Sequence, residues 1–136
     1  MKNDHQDLVS GASALGFRLV RAETVPNIRA TVFLFEHDQS GAQICDILAP
    51  EDAENCFCIA VPTPPPDNTG LPHILEHSVL AGSRRFPVKE PFFEMAKMSM
   101  ATFINAFTSQ MYTAYPICSP VKQDFFNLAE VYLDAV

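Results

Sequence analysis

The sequence has no run of apolar residues long enough to cross a membrane. A transmembrane helix needs about 18 or more consecutive apolar residues, and no stretch of these 136 residues approaches that length. Residues 1–7 are polar, no apolar signal-peptide core follows them, and the Arg-rich, acid-poor composition of a mitochondrial transit peptide is missing. These absences predict no membrane partner and a location in the bacterial cytoplasm.

Basic residues are also scarce, since 9 Lys and Arg stand against 16 Asp and Glu for a formal net charge of −7. Arg84 and Arg85 are the one adjacent basic pair, and a solvated loop is its more ordinary explanation. A nucleic-acid-binding surface needs a basic cluster to meet the phosphates. The sequence therefore predicts no nucleic-acid partner.

The four cysteines form no recognisable metal-binding pattern. Cys56 and Cys58 are two residues apart and would share one face of a strand, but no second pair completes a zinc site. Unpaired cysteine is among the most buried residue types. We therefore expect reduced thiols in the core at all four positions, which are Cys45, Cys56, Cys58 and Cys118.

The sequence does contain the pattern H-x-x-E-H, in which His73, Glu76 and His77 are the fixed positions. Residues four apart on a helix lie about 40° apart around its axis, so both histidines can bind one zinc ion while Glu76 stands beside it. Zinc with an open position lowers the pKa of bound water to about 7, and a neighbouring carboxylate can pass the water's proton to a leaving amine. The pattern indicates peptide-bond hydrolysis, and the alternative is two surface histidines flanking a solvated glutamate.

The surrounding residues predict that the motif lies on a short helix over residues 71–81. A Pro-rich loop precedes it, Asn68 or Thr69 can cap it, and Pro72 is tolerated in the first turn. Gly82 can stop the helix. The expected buried side consists of Ile74, Leu75, Val79 and Leu80.

Hydrophobic periodicity elsewhere predicts an α+β fold, with a mixed or antiparallel sheet and helices packed on one face. Strands are expected over residues 17–22, 28–35, 42–48 and 55–61, a helix over 91–99, and a second hairpin from 102–107 and 111–117. The strand over 28–35 should be central because both of its faces become apolar. A last helix should begin near Ser119 and Pro120. Its apolar residues recur at helical spacing up to the final residue, and they are Val121, Phe125, Leu128, Tyr132 and Val136. An aromatic and methionine stripe is expected in the core rather than in a pocket, and it comprises Phe92, Phe93, Met95, Met98, Phe103 and Phe107.

Residues 63–116 resemble the pitrilysin-type inverzincin zinc metallopeptidases, and within them the presequence-protease and falcilysin-like branch. The matching segments are TGLPHILEHSVL at 69–80, GSRRFPVKEPFFEM at 82–95, TFINAFT at 102–108, Tyr115 with Pro116, Asn127 with Leu128, and YLDAV at 132–136.

The resemblance implies a role for each matching site residue. His73 and His77 are expected to be zinc ligands, and Glu76 the general base. Asn105 and Ala106 match the family's strand beside the active site, which pairs with an extended substrate, so the strand over 102–107 should lie at an edge of the sheet beside the His73 and His77 helix. The family takes its third zinc ligand from a glutamate further along the chain than the 59 residues that follow His77. The glutamates that are present, Glu90, Glu94 and Glu130, lie at the wrong distances.

The resemblance also implies that the functional protein is larger. Family members are several times longer and consist of four similar α+β domains in two halves around a chamber. We therefore expect residues 1–136 to be the N-terminal portion of the first, zinc-binding peptidase domain, truncated at its C-terminal end and inactive alone. The expected function of the whole is a zinc metalloendopeptidase that degrades unstructured peptides, with extended oligopeptides and the remaining domains as partners.

Two alternatives remain open at this stage. The first is a non-catalytic structural or binding relative of the same fold, although such relatives typically lose the H-x-x-E-H residues that this chain keeps. The second is a small stand-alone zinc-binding domain.

Overall fold

The structure, a computed structural model, describes residues 13–87 and 91–136. The chain divides into two compact units, the first ending at Asp52 and the second beginning at Ala53. Within the described residues, no helix combines the length and the apolar character that a membrane span requires.

The first unit is an antiparallel sheet of four strands in sequential order. They are β1 (Ser13–Ala14), β2 (Phe17–Val25), β3 (Ala30–His37) and β4 (Gln43–Leu48). Strand β3 pairs with both β2 and β4, which confirms the prediction of a central strand. Strand β2 continues three residues beyond the predicted end at 22, because its pairing with β3 runs on to Val25 opposite Ala30. A 3-10 turn over Pro26–Ile28 joins the two strands.

The second unit contains three helices and a second antiparallel sheet in its described residues. The strands are β5 (Asn55–Pro62), β6 (Phe103–Ile104), β7 (Phe107–Thr108) and β8 (Tyr112–Ser119). The helices are α1 (Leu71–Val79), α2 (Pro91–Met98) and α3 (Lys122–Ala135). Strand β8 lies in the middle, with β5 on one side and the short strands β6 and β7 on the other. The α+β prediction is confirmed, although the strands form two sheets rather than one.

The core of the second unit lies on one face of its sheet. Tyr115 and Ile117 of β8 pack against Leu128, Ala129 and Tyr132 of α3, together with Leu80 after α1. Strand β5 alternates, so that Phe57 and Ile59 pack against this cluster while Cys56 and Cys58 are exposed. The helical spacing of α3 and the two-residue period of β5 produce this face, which confirms that the helices pack on one side.

Helix α1 begins at Leu71, as predicted, and ends at Val79 rather than at 81, but the side chains expected to cap α1 and α3 do not cap them. Helix α1 begins after Gly70, whose positive φ of 74° turns the chain, and no side chain caps it. Thr69 instead donates to Asp67 through both its backbone amide and its hydroxyl. Helix α3 begins after Val121 rather than at Ser119, whose hydroxyl accepts from the Val121 amide.

Several apolar residues that were expected in the core are exposed. Ile74 and Leu75 of α1 are 59% and 52% exposed, so the predicted buried side of that helix is wrong at both positions. In the aromatic and methionine stripe, Phe92 and Met95 pack against the core, but the other members, Phe93, Met98, Phe103 and Phe107, are exposed. The cysteines form no disulfide in the described residues, yet Cys45, Cys56 and Cys58 are exposed and Cys118 is only half-buried, which corrects the predicted burial.

The strand predicted over residues 102–107 is interrupted. Strands β6 and β7 are two residues each, and Asn105 and Ala106 lie between them. The Asn105 side-chain oxygen accepts from the Ala106 amide, so this side chain bonds to its own backbone. The Asn105 amide donates to the carbonyl of Pro116, and its carbonyl accepts from the buried hydroxyl of Tyr132, whose pKa burial raises.

Candidate metal centre

Helix α1 brings His73 and His77 together. The amides of His73 and Ile74 donate to the carbonyl of Gly70, and Pro72 occupies the first turn, where its missing N–H costs no hydrogen bond. One helical turn later His77 lies above His73, and their Nε2 atoms are 3.2 Å apart. Their ring centroids are separated by 4.9 Å. The two nitrogens are therefore within hydrogen-bonding distance of each other.

Glu76 completes a group of three potential ligands. One ligand atom from each of His73, Glu76 and His77 lies within 4.8 Å of the others. The two histidines are exposed, whereas Glu76 is 6% exposed and is the one buried residue among the nine described residues of α1. The group thus has an open side formed by imidazoles and a closed side formed by a carboxylate.

The nitrogen spacing fits zinc. Two nitrogens that each lie 2.0–2.1 Å from a tetrahedral zinc ion are about 3.3–3.4 Å apart, and the observed 3.2 Å is close to this value. Imidazole and carboxylate are also donors that zinc accepts. Over the described residues, no further His, Cys, Asp or Glu joins the group. Glu94 pairs with Lys97 and Glu130 with Arg85, while Glu90 lies outside the described residues.

Glu76 is held from the side of the sheet. Thr108 of β7 donates its hydroxyl proton to Glu76 Oε2 at 2.5 Å, across 32 positions of sequence. Burial first, and the negative charge of Glu76 second, raise the pKa of Tyr115 on β8. Thr108 was not identified from the sequence. It lies one residue beyond the strand predicted over 102–107, and no sequence pattern indicated its contact with Glu76.

Asn105 and Ala106 lie on the segment that leads directly into β7. Asn105 is exposed, and Ala106 packs against the core. The short strands on either side pair with β8 alone among the described strands, so this segment lies at an edge of the sheet, as predicted. The segment reaches α1 through the Thr108–Glu76 hydrogen bond. Contact of Asn105 and Ala106 with a substrate stays a prediction.

The fold and the site together define an α+β protein with an inverted H-x-x-E-H motif on a helix beside an open sheet edge. No family model matches the chain. The chain is 48% identical over 125 residues to presequence protease 1, chloroplastic/mitochondrial, of Arabidopsis thaliana. It is 45% identical over 125 residues to the mitochondrial presequence protease of Gibberella zeae, and both alignments cover 92% of this chain. A protein named HypA from Clostridium perfringens is 50% identical over 121 residues, or 89% of this chain.

The chain is therefore a homologue of the presequence proteases over the segment that it spans, and the resemblance seen in the sequence is confirmed. It spans 12% of the length of each of these relatives. Most of the length of these relatives thus has no counterpart in the 136 residues.

The predicted bacterial cytoplasmic location is wrong. The presequence-protease relatives, from plant, fungal and vertebrate sources, are named mitochondrial or chloroplastic/mitochondrial, although the Clostridium relative is bacterial. The prediction rested on the composition of residues 1–7, which lie outside the described residues.

Proposed function

We propose that this chain carries the two histidine ligands and the general base of a zinc metalloendopeptidase that degrades unstructured peptides. In this proposal it is the N-terminal portion of the first peptidase domain of a longer protein. The observation that carries it is the 3.2 Å separation of the His73 and His77 Nε2 atoms with the Glu76 carboxylate alongside, in a homologue of presequence proteases. The test is chelator-sensitive hydrolysis of a fluorogenic, unstructured peptide by the full-length protein.

His73, His77 and Glu76 have different roles in the proposed hydrolysis. His73 and His77 would hold the metal through their Nε2 atoms. A zinc ion bound there would supply a Lewis acid that makes water acidic enough to lose a proton near neutral pH. Glu76 Oε2 already accepts from Thr108, which leaves Oε1 to take that proton. The hydroxide oxygen would add to the peptide carbon, the C–N bond would break, and Glu76 would return the proton to the leaving nitrogen.

The open edge supports an extended peptide as the substrate. Strands β6 and β7 have β8 as their one described neighbour, so their outer backbone groups are available to a further strand. A peptide that adds to a sheet edge is held by main-chain hydrogen bonds, which are common to all sequences. Such an enzyme accepts many extended peptides, including presequences of the kind for which its relatives are named, and refuses folded proteins.

The exposed apolar residues support a larger assembly around the site. Ile74 and Leu75 of α1 and Phe93 and Met98 of α2 are all more than half exposed in the second unit. An exposed apolar patch marks an interaction surface, and Ile74 and Leu75 are adjacent in α1. We assign this surface to contacts with the remaining domains of the longer protein.

The 136-residue chain alone is expected to hydrolyse no peptide at a measurable rate. Its described residues offer zinc two imidazoles and the Glu76 carboxylate, which is needed as the base, and no other domain is present to position a substrate. The assay uses the purified chain with added zinc and the fluorogenic peptide that the full-length protein cleaves. Turnover by the chain that a chelator abolishes would contradict this expectation.

Asn105→Ala in the full-length protein is expected to weaken turnover without removing zinc. If the amide contacts the substrate backbone, its loss leaves a partner unsatisfied at a cost of about 1–3 kcal/mol, which corresponds to a fall in kcat/KM of roughly 5- to 150-fold. Asn127→Ala is a matched control, since that amide lies on the exposed side of α3 and accepts from Gln123. Equal kcat/KM for the two variants would remove Asn105 from the substrate site.

A further inference from the structure

We propose that three threonine hydroxyls form one directed hydrogen-bond chain, from Thr63 through Thr113 to Thr108, that positions the carboxylate of Glu76. The inference rests on the proposed function, in which Glu76 is the general base. It assigns Thr108 and Thr113 as positioning residues, which act on the reaction through Glu76.

The contacts are continuous from the sheet to the carboxylate. Thr63 Oγ1 lies 2.8 Å from Thr113 Oγ1, and Thr113 Oγ1 lies 3.3 Å from Thr108 Oγ1. Thr108 Oγ1 lies 2.5 Å from Glu76 Oε2. The last distance falls in the range of about 2.5–2.7 Å that is typical of a hydroxyl donating to a charged carboxylate.

Each threonine hydroxyl has a single proton, and this determines the direction of the hydrogen bonds from Thr63 to Glu76. A threonine hydroxyl has one proton to donate and two lone pairs that accept. Thr108 gives its proton to Glu76, so in its contact with Thr113 it accepts. Thr113 then has no proton left for Thr63, which must donate to it. All three O–H groups therefore point toward the carboxylate, and each one polarises the next.

These hydrogen bonds are needed because the groups that they join are buried. Thr113 is 2% exposed and Glu76 is 6% exposed, and a buried polar group without a partner is costly. The backbone supports the same arrangement, because Thr108 and Thr113 are register partners in the β7–β8 pair and the Thr63 amide donates to Met111 at the end of the β5–β8 ladder. The sheet thus presents a fixed donor to one oxygen of Glu76 and leaves the other oxygen for the reaction.

The test compares Thr108→Val with Thr108→Ser in the full-length protein. Valine keeps the shape and removes the hydroxyl, so kcat should fall by about 10- to 100-fold, the usual effect of losing a residue that orients a metal-site group. KM should stay within about twofold and zinc content should be unchanged, because neither the metal ligands nor the sheet edge is altered. Serine restores the donor and should return kcat to within about threefold of the wild type. Thr24→Val is the matched control, since its hydroxyl contacts Thr31 in the first unit.

A second variant keeps the proposal testable if Thr108→Val does not fold. Thr113→Val removes the hydroxyl one step further from Glu76 and should lower kcat less than Thr108→Val, with zinc retained. Wild-type kcat in Thr108→Val, or in Thr113→Val when the first variant is insoluble, would overturn the inference. So would a loss of zinc or a rise in KM that accounts for the whole effect. The proposed function fails separately, if wild-type protein shows no chelator-sensitive hydrolysis or if Glu76→Gln remains active.

Discussion

Glu76→Gln in the full-length protein should bind zinc about normally and lose turnover by about 10²–10⁴-fold, the usual contribution of a general base. Glutamine has nearly the same shape, and its side-chain oxygen can still accept from Thr108, so the buried site should keep its fold. What the amide lacks is an oxygen that can take and return a proton. Metal content and kcat, measured on the same preparation, separate the chemical role from the structural one.

Glu94→Gln is the matched control for this substitution. Glu94 is an exposed glutamate of α2 that pairs with Lys97, and exposed ion pairs contribute little to stability. Its replacement should leave both zinc content and kcat near the wild-type values. Near-native turnover by Glu76→Gln would show that the base has been assigned to the wrong residue.

His77→Ala should lose the metal itself, and with it the whole of the chelator-sensitive activity. The two Nε2 atoms 3.2 Å apart form the imidazole pair of the site, and alanine leaves His73 with no second imidazole one turn away. Losing a residue that only supports a ligand weakens metal binding by about 10- to 100-fold, so loss of a ligand should exceed that range. Zinc content after dialysis and titration with added zinc give the measurement.

His37→Gln provides the control for His77→Ala. His37 is in the first unit, where its Nδ1 contacts the Ser40 hydroxyl in the β3–β4 turn. Its replacement should leave the zinc content unchanged. A His77→Ala protein that holds zinc as tightly as the wild type would mean that the metal, if any, binds elsewhere. If both expectations hold, His77→Ala loses the metal whereas Glu76→Gln keeps the metal and loses turnover. This difference distinguishes a zinc ligand from a general base.

The elements that were predicted correctly are those whose own residue spacing shows which side chains are buried. The strand over 28–35 alternates and then becomes apolar on both faces, and it is central in the structure as Ala30–His37. The period of α3 predicted the side that carries Leu128 and Tyr132, which is buried against β8. In both cases the residue spacing alone specifies which side chains share a face.

The predictions that failed concern which neighbour covers an apolar face. Ile74 and Leu75 are apolar and next to each other, and the sequence could not reveal that α1 turns Glu76 toward the sheet instead. The same holds for Cys56 and Cys58, which share a strand face that lies opposite the described core. An apolar side chain is more stable when it is buried, but the residues that cover it can belong to another part of a longer protein.

By itself, the sequence determined the pairing of His73 with His77, because four residues of helix bring two side chains onto one face whatever the rest of the chain does. It also determined the kinship with the presequence proteases, since the motifs extend over many positions in order. Only the tertiary structure decided how Glu76 is held. Thr63, Thr108 and Thr113 are ordinary residues until β7 and β8 pair and bring a hydroxyl to a carboxylate 32 positions away, and no local periodicity encodes a contact of that range.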